Sequence, residues 1–176
     1  VGALFFRKGA TLKPLIYGGG QEYSIRSSTE NIAGIGGFGM AAKLATMNLT
    51  ENYEHITRLE KHFLSQLDEK QIEYKINGTN RMQGVLNMTF PNIDGQSLVM
   101  KMDIAGIGIS FGAACASGTV KTSNMLLDMG LTKKDALSTV RISIGKIHSF
   151  EDVETVVNTI HKILIQQNEV FIAYTE

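Results

Sequence analysis

The chain has 176 residues, 43% of them hydrophobic and 19% charged, and its 17 Lys plus Arg balance 17 Asp plus Glu. That is about one domain's length with apolar residues enough for a core, which excludes a disordered chain or a coiled coil. Zero net charge supplies no long-range field for general nucleic-acid binding or for anionic lipid. The single cysteine, Cys115, excludes an intrachain disulfide and any cysteine-based zinc cage.

No apolar run approaches the roughly 18 residues of a membrane-spanning helix. Val1 to Phe6 has neither the basic flank of a secretion signal nor a starting methionine, and it opens in the middle of a strand pattern, as a cut end would. Ala3 to Arg7 and Leu15 to Tyr17 read as two short strands about a Lys8-Gly9 turn. Gly18-Gly19-Gly20 breaks regular structure, and a helix is expected from Glu30 to about Leu49. That helix holds Gly34, Gly36, Gly37 and Gly39, each costing about 1 kcal/mol relative to alanine, so close backbone packing is expected to compensate.

Glu51 to Glu69 reads as a second helix, with Tyr53, Ile56, Leu59, Phe63 and Leu67 on one face. Alternation then predicts a strand through Ile72, Tyr74 and Ile76 and another through Leu86, Met88 and Phe90, stopped by Pro91. Asp94 is placed to cap a short helix containing Leu98 and Met102. A third strand runs through Ile107, Ile109 and Phe111, a helical turn through Asn124 to Met129, and a fourth strand through Val140, Ile142 and Ile144. Ser149 and Asp152 form a capping-box-like start to a closing helix whose buried stripe is Val153, Val157, Ile160 and Leu164. Residues 71–176 thus read as a β-β-α-β-α-β-α layer pair, and the fold class as α+β.

Three places carry chemistry. A lone cysteine is more often a small buried hydrophobe than a nucleophile, but Cys115 sits among small, polar neighbours through Thr122, as a reactive thiol requires. Arg141 must face away from Val140 and Ile142, either towards solvent or towards an anion that its planar fork can hold at two oxygens. Ser27, Ser28 and Thr29 offer hydroxyls before a helix, which serve equally for capping or for an anion such as phosphate. His55, His62, His148 and His161 share no ligand spacing, so no metal is expected.

Taken together, Val1 to Gly9, Gly18-Gly19-Gly20-Gln21-Glu22 with Arg26 to Asn31, and Ser110 to Ser117 with Val140 to Gly145 follow one another as in the cysteine desulfurases. The chain resembles this branch of the class V aminotransferase-like, pyridoxal-phosphate fold-type I enzymes over essentially its whole length. The resemblance implies a C-terminal small domain of about four strands packed on helices, plus the last strands of the large domain. It implies 1–30 as a remnant of the large domain, 31–70 as linking helices and 71–176 as the small domain.

It also implies that Cys115 is the nucleophile that becomes a persulfide, and that Arg141 grips the substrate α-carboxylate. Thr29 matches the residue that reaches the phosphate of pyridoxal 5'-phosphate in the other subunit of a homodimer. The implied substrate is L-cysteine, and the implied partner is a sulfur-acceptor or scaffold protein in iron–sulfur-cluster assembly or thiolation. A cytoplasmic setting, with neither membrane nor general nucleic-acid binding, goes with it. The family usually has Arg-Ser-Gly-Thr where this chain has Arg26-Ser27-Ser28-Thr29. The family's Schiff-base lysine lies before the opening strand, and neither Lys8 nor Lys13 can take its place, so these residues alone are expected to be inactive. Alternatives are a non-catalytic interaction module of the same fold, or another class V aminotransferase or lyase in which Cys115 is inert.

Overall fold

The computed structural model of the chain describes residues 1–112 and 124–173, the side chains of 167–173 excepted. The chain forms two compact units, Val1–Thr50 and Glu51–Glu176. In the first, the Lys8-Gly9 turn is present, closed by Ala10 N–H donating to the Arg7 carbonyl at 3.0 Å. The strands expected on either side of it are not formed. Neither run finds a ladder partner among the described residues, and a lone hairpin gains too little to order its backbone. Phe5 and Leu15 are accordingly more than 90% exposed.

A short 3-10 turn, Gln21–Ser24, follows. Next comes α1, Ile32–Met47, close to its expected span but capped by Asn31 rather than by Ser28 or Thr29. The Asn31 side chain accepts from Gly34 N–H at 3.0 Å. No residue of α1 is buried, and a Cβ at Gly36, Gly37 or Gly39 would meet open space. The close packing expected of these glycines is therefore not supplied by the described residues.

Helix α2, Leu49–Glu69, carries the amphipathic pattern into the second unit, with Leu59, Phe63 and Leu67 buried. Four strands follow: β1 (Lys75–Ile76), β2 (Val85–Thr89), β3 (Ser110–Phe111) and β4 (Thr139–Ser143). They form one antiparallel sheet in the order β1-β2-β4-β3. Helix α3 (Gly95–Ile104) sits between β2 and β3 in sequence, α4 (Asn124–Asp128) and α5 (Lys133–Leu137) precede β4, and α6 (Phe150–Ala173) closes the chain. Alternation along β2 and β4 sends Leu86, Met88, Val140 and Ile142 into one core with Phe63 and Leu67 of α2, Leu98 and Met102 of α3, and Val153, Val157 and Ile160 of α6. Burying each such side chain contributes about 1.5–3 kcal/mol before conformational entropy is set against it.

Three differences from the sequence expectation stand out. The first strand shortens to Lys75–Ile76, and the third to Ser110–Phe111. Residues 107–109 part from the end of β4, leaving a cavity of about 350 Å3 lined by Ile107, Ile109, Ile142, Ile144 and Val156. Gly106 (φ 79°) precedes this departure and Gly108 lies within it, and both weaken strand propensity there. Helix α5 was not expected; its cap is Thr132, whose hydroxyl accepts from Asp135 N–H at 3.1 Å.

Candidate active-site face of the sheet

The face of the sheet opposite the core is polar. Register places Asn87 of β2, Arg141 of β4 and Ser110 of β3 side by side across three strands, with Thr89 opposite Thr139 one pleat away. Val140 and Ile142 are buried while Arg141, turned the other way, is half-buried, as alternation predicts. The Arg141 Nη2 lies 3.5 Å from the Ser110 hydroxyl, a marginal hydrogen bond. Its Nε is shut off from solvent with no hydrogen-bond partner among the described residues. Among the described residues the side-chain ion pairs are His62–Glu154 and Glu60–Arg81, so no carboxylate there neutralises Arg141. A partly desolvated guanidinium of this kind is suited to holding a carboxylate.

Next to this row stands Gly112, the last described residue before the segment carrying the cysteine. Its N–H donates to the Thr139 carbonyl at 2.9 Å. Its own carbonyl accepts from Asn87 Nδ2 at 3.2 Å. A φ of 56° marks it as a left-handed position that suits glycine. Cys115 itself lies outside the described residues.

Thr29 is exposed and belongs to the first unit, and Arg141 belongs to the second. Beside it, Arg26 Nη1 donates to the Ser28 hydroxyl at 2.9 Å and to the Ser27 carbonyl at 3.2 Å. Ser27 is buried and its hydroxyl donates to the Gly19 carbonyl at 2.8 Å, so it ties the glycine run to the start of α1. Ser28 has φ 94°, a conformation a side chain adopts at a cost of about 1–2 kcal/mol. The donor set of Arg26, Ser28 and Thr29 suits a phosphate, whereas Lys8, Lys13 and Lys43 of this unit are exposed and provide no enclosed amine for a cofactor ring.

The second unit is braced by a buried acid that sequence reasoning missed. Glu60 of α2 is 2% exposed, accepts from Gly84 N–H at 2.6 Å and pairs with Arg81. Burial would raise its pKa, but the Arg81 hydrogen bond, the Gly84 N–H, the Arg81 charge and a bond from Gln83 outweigh it, and the carboxyl is held below its ordinary value. Gly84 in turn accepts from Ile144 N–H at 2.7 Å, so the acid fixes the end of β4. Two histidines serve structure: His55 Nε2–H donates to the His148 carbonyl at 2.9 Å, and His148 Nδ1 accepts from Gly145 N–H at 2.8 Å. Among the described residues no group of three His, Cys, Asp or Glu is placed to hold a metal, and no helix is long and apolar enough to cross a membrane.

Sequence comparison places residues 1–156 in the class V aminotransferase family, and the chain belongs to it. Among the relatives is a cysteine desulfurase IscS of Clostridium botulinum, 37% identical over 173 residues, which cover 96% of this chain and 44% of the relative. A cysteine desulfurase IscS of Dictyoglomus turgidum is 32% identical over 166 residues, covering 93% and 42%. Of solved structures, a NifS-like protein from Rickettsia africae superposes with a TM-score of 0.75 at 32% identity, over 88% of this chain and 41% of that one. A second structure named NifS-like protein gives 0.77 at 31% identity, over 91% and 41%. The resemblance drawn from the motifs therefore stands, with the α+β fold. The chain spans less than half the length of these relatives.

Proposed function

We propose that the chain carries the sulfur-accepting and carboxylate-binding part of a cysteine desulfurase. The observation that supports this most is Arg141: partly desolvated, without a carboxylate partner among the described residues, and one strand from the root of the cysteine segment. Its guanidinium would hold the α-carboxylate of L-cysteine and set the direction in which the substrate sulfur points. Cys115 would act as thiolate. From Gly112 three residues of chain can span up to about 11 Å, a reach that would allow the thiol to meet a ligand on Arg141.

In the reaction the Cys115 thiolate attacks the substrate sulfur, an S–S bond forms as the C–S bond breaks, and the remaining carbon takes up a proton to leave as alanine. The persulfide sulfur then passes to an acceptor or scaffold protein. Pyridoxal phosphate would supply the electron sink that stabilises the electron pair left on carbon when the C–S bond breaks. Within this chain, Thr29, Ser28 and Arg26 are the residues suited to its phosphate, with Thr29 serving the second subunit of a homodimer. Residues 1–30, 31–70 and 71–176 are assigned to the large-domain remnant, the linking helices and the small domain, and the setting is assigned as cytoplasmic.

The 176 residues alone contain no lysine matching the family's Schiff-base position, so purified chain with added cofactor is expected to release no alanine from cysteine. Joined behind the portion of the Clostridium botulinum relative that it does not cover, it is expected to release alanine. Arg141→Ala should raise KM for cysteine, and Cys115→Ser should abolish turnover. Turnover by the unextended chain, or an unchanged KM in Arg141→Ala, would refute the assignment.

A further inference from the structure

The polar face holds a hydrogen-bond chain whose direction is fixed at both ends. The Thr139 hydroxyl donates to the Asp135 carbonyl at 2.6 Å, which leaves its oxygen to accept from Thr89 at 2.8 Å. Thr89 then accepts from Asn77 Nδ2 at 2.9 Å. The same Asn77 amide donates its other hydrogen to Asn87 Oδ1 at 2.9 Å. That sets the Asn87 amide with its NH2 towards Gly112, whose carbonyl it meets at 3.2 Å. Each end terminates on a backbone carbonyl, which only accepts, so no member can be reversed without leaving two acceptors facing each other. Asn77, Thr89 and Thr139 are buried, so a break in the chain is not repaired by water at low cost.

We propose that Asn87 is a positioning residue that fixes the Gly112 carbonyl, and with it the root of the cysteine-bearing segment, beside Arg141. This rests on the reading of Cys115 and Arg141 above. Gly112 is held on one side by the Thr139 carbonyl and on the other by Asn87. Asn87 faces Arg141 directly in the β2–β4 register. One side chain thus ties β2, the strand paired with the one bearing Arg141, to the residue from which the thiol segment departs. Removing it would free the root without touching either reacting group.

The test uses the 176-residue chain and needs no cofactor. Iodoacetate and iodoacetamide alkylate a thiolate by the same displacement, but iodoacetate alone carries a carboxylate for Arg141. The ratio of their rates at Cys115 reports thiol and guanidinium acting on one ligand, and it cancels changes in the thiol itself. Arg141→Ala is expected to lower the ratio roughly tenfold and Asn87→Ala at least roughly threefold, the scale of one or two charge-assisted contacts. Thr89→Val breaks the chain one link away but leaves the Asn87–Gly112 bond, and is expected to keep the ratio of the parent. Asn87→Ser, whose hydroxyl is too short to reach Gly112, replaces the alanine variant should that one not fold.

A parental ratio in Asn87→Ala alongside a lowered one in Arg141→Ala overturns the positioning role alone. Equal losses in Thr89→Val and Asn87→Ala overturn it too, since they would report general loosening of the face. A parental ratio in Arg141→Ala would instead remove the carboxylate assignment on which the proposal stands.

Discussion

Replacing Glu60 by glutamine tests whether the buried carboxylate holds the second unit together. The substitution keeps volume and shape but removes the charge, and its NH2 must face either Gly84 N–H or the Arg81 guanidinium, both donors. Glu60 accepts from Gly84 at 2.6 Å and from Arg81 while 2% exposed. Hydrogen bonds to charged groups contribute about 1.5–3 kcal/mol each, and one survives in part, so a loss of about 2–3 kcal/mol is expected. In a unit of this size that lowers the thermal midpoint by roughly 8–15 °C.

The measurement is urea unfolding followed by circular dichroism, with the denaturant slope unchanged. The pH dependence gives a second reading. The folded carboxyl is held below its ordinary 4.5, so the folded state binds this proton less readily than the unfolded state. The contribution is complete above pH 4.5 and is lost as pH falls through the depressed folded value. The gap between parent and Glu60→Gln should therefore narrow below that pH. A loss under about 0.5 kcal/mol, within the ordinary scatter of surface substitutions, with parallel pH curves, would show that burial and pairing cancel and that the brace is inert.

Three glycine substitutions rank in a definite order. At Gly84, an added Cβ would meet Ile56 Cγ2 at 2.5 Å and the Ile144 carbonyl at 2.6 Å, with φ 83° besides. Gly84→Ala should thus cost about 3 kcal/mol or more by denaturant unfolding. Gly95→Ala would crowd the Leu137 and Thr139 carbonyls at 2.9 and 3.0 Å and should cost about 1–3 kcal/mol. Gly108→Ala meets nothing within 4 Å and should be neutral within about 0.5 kcal/mol. At the start of α6 the Ser149 hydroxyl accepts from Asp152 N–H at 3.1 Å, and Ser149→Ala should cost about 1 kcal/mol by the same assay.

What the sequence disclosed follows from periodicity. Leu59, Phe63 and Leu67 at helical spacing, and Val140 and Ile142 at strand spacing, all reach the core. Their burial is a local consequence of backbone period and needs no knowledge of partners. The same alternation turned Arg141 to the opposite face. It could also have flagged Asn87 and Thr89, which alternate with Leu86 and Met88 and share that face, but a single polar residue between apolar ones also suits a solvated surface.

Features that depend on distant partners were not legible. Glu60 reads as one more charge on an amphipathic helix until Arg81 and Gly84 are folded against it. The strand expected over 107–111 keeps its pairing only at Ser110 and Phe111. The apolar opening residues lack a ladder partner among the described residues, so alternation there does not become a sheet. Ser28 sits at a positive φ, a strain visible only in the backbone.

Sulfur capture at residue 115 tests the central claim most directly. The chain, joined behind the uncovered portion of the Clostridium botulinum relative, is incubated with the cofactor and L-cysteine, and the peptide containing Cys115 is weighed without reduction. One added sulfur on that peptide, formed in step with one alanine and absent in Cys115→Ser, is the predicted result. Alanine released while the Cys115 peptide keeps its unmodified mass would contradict the account.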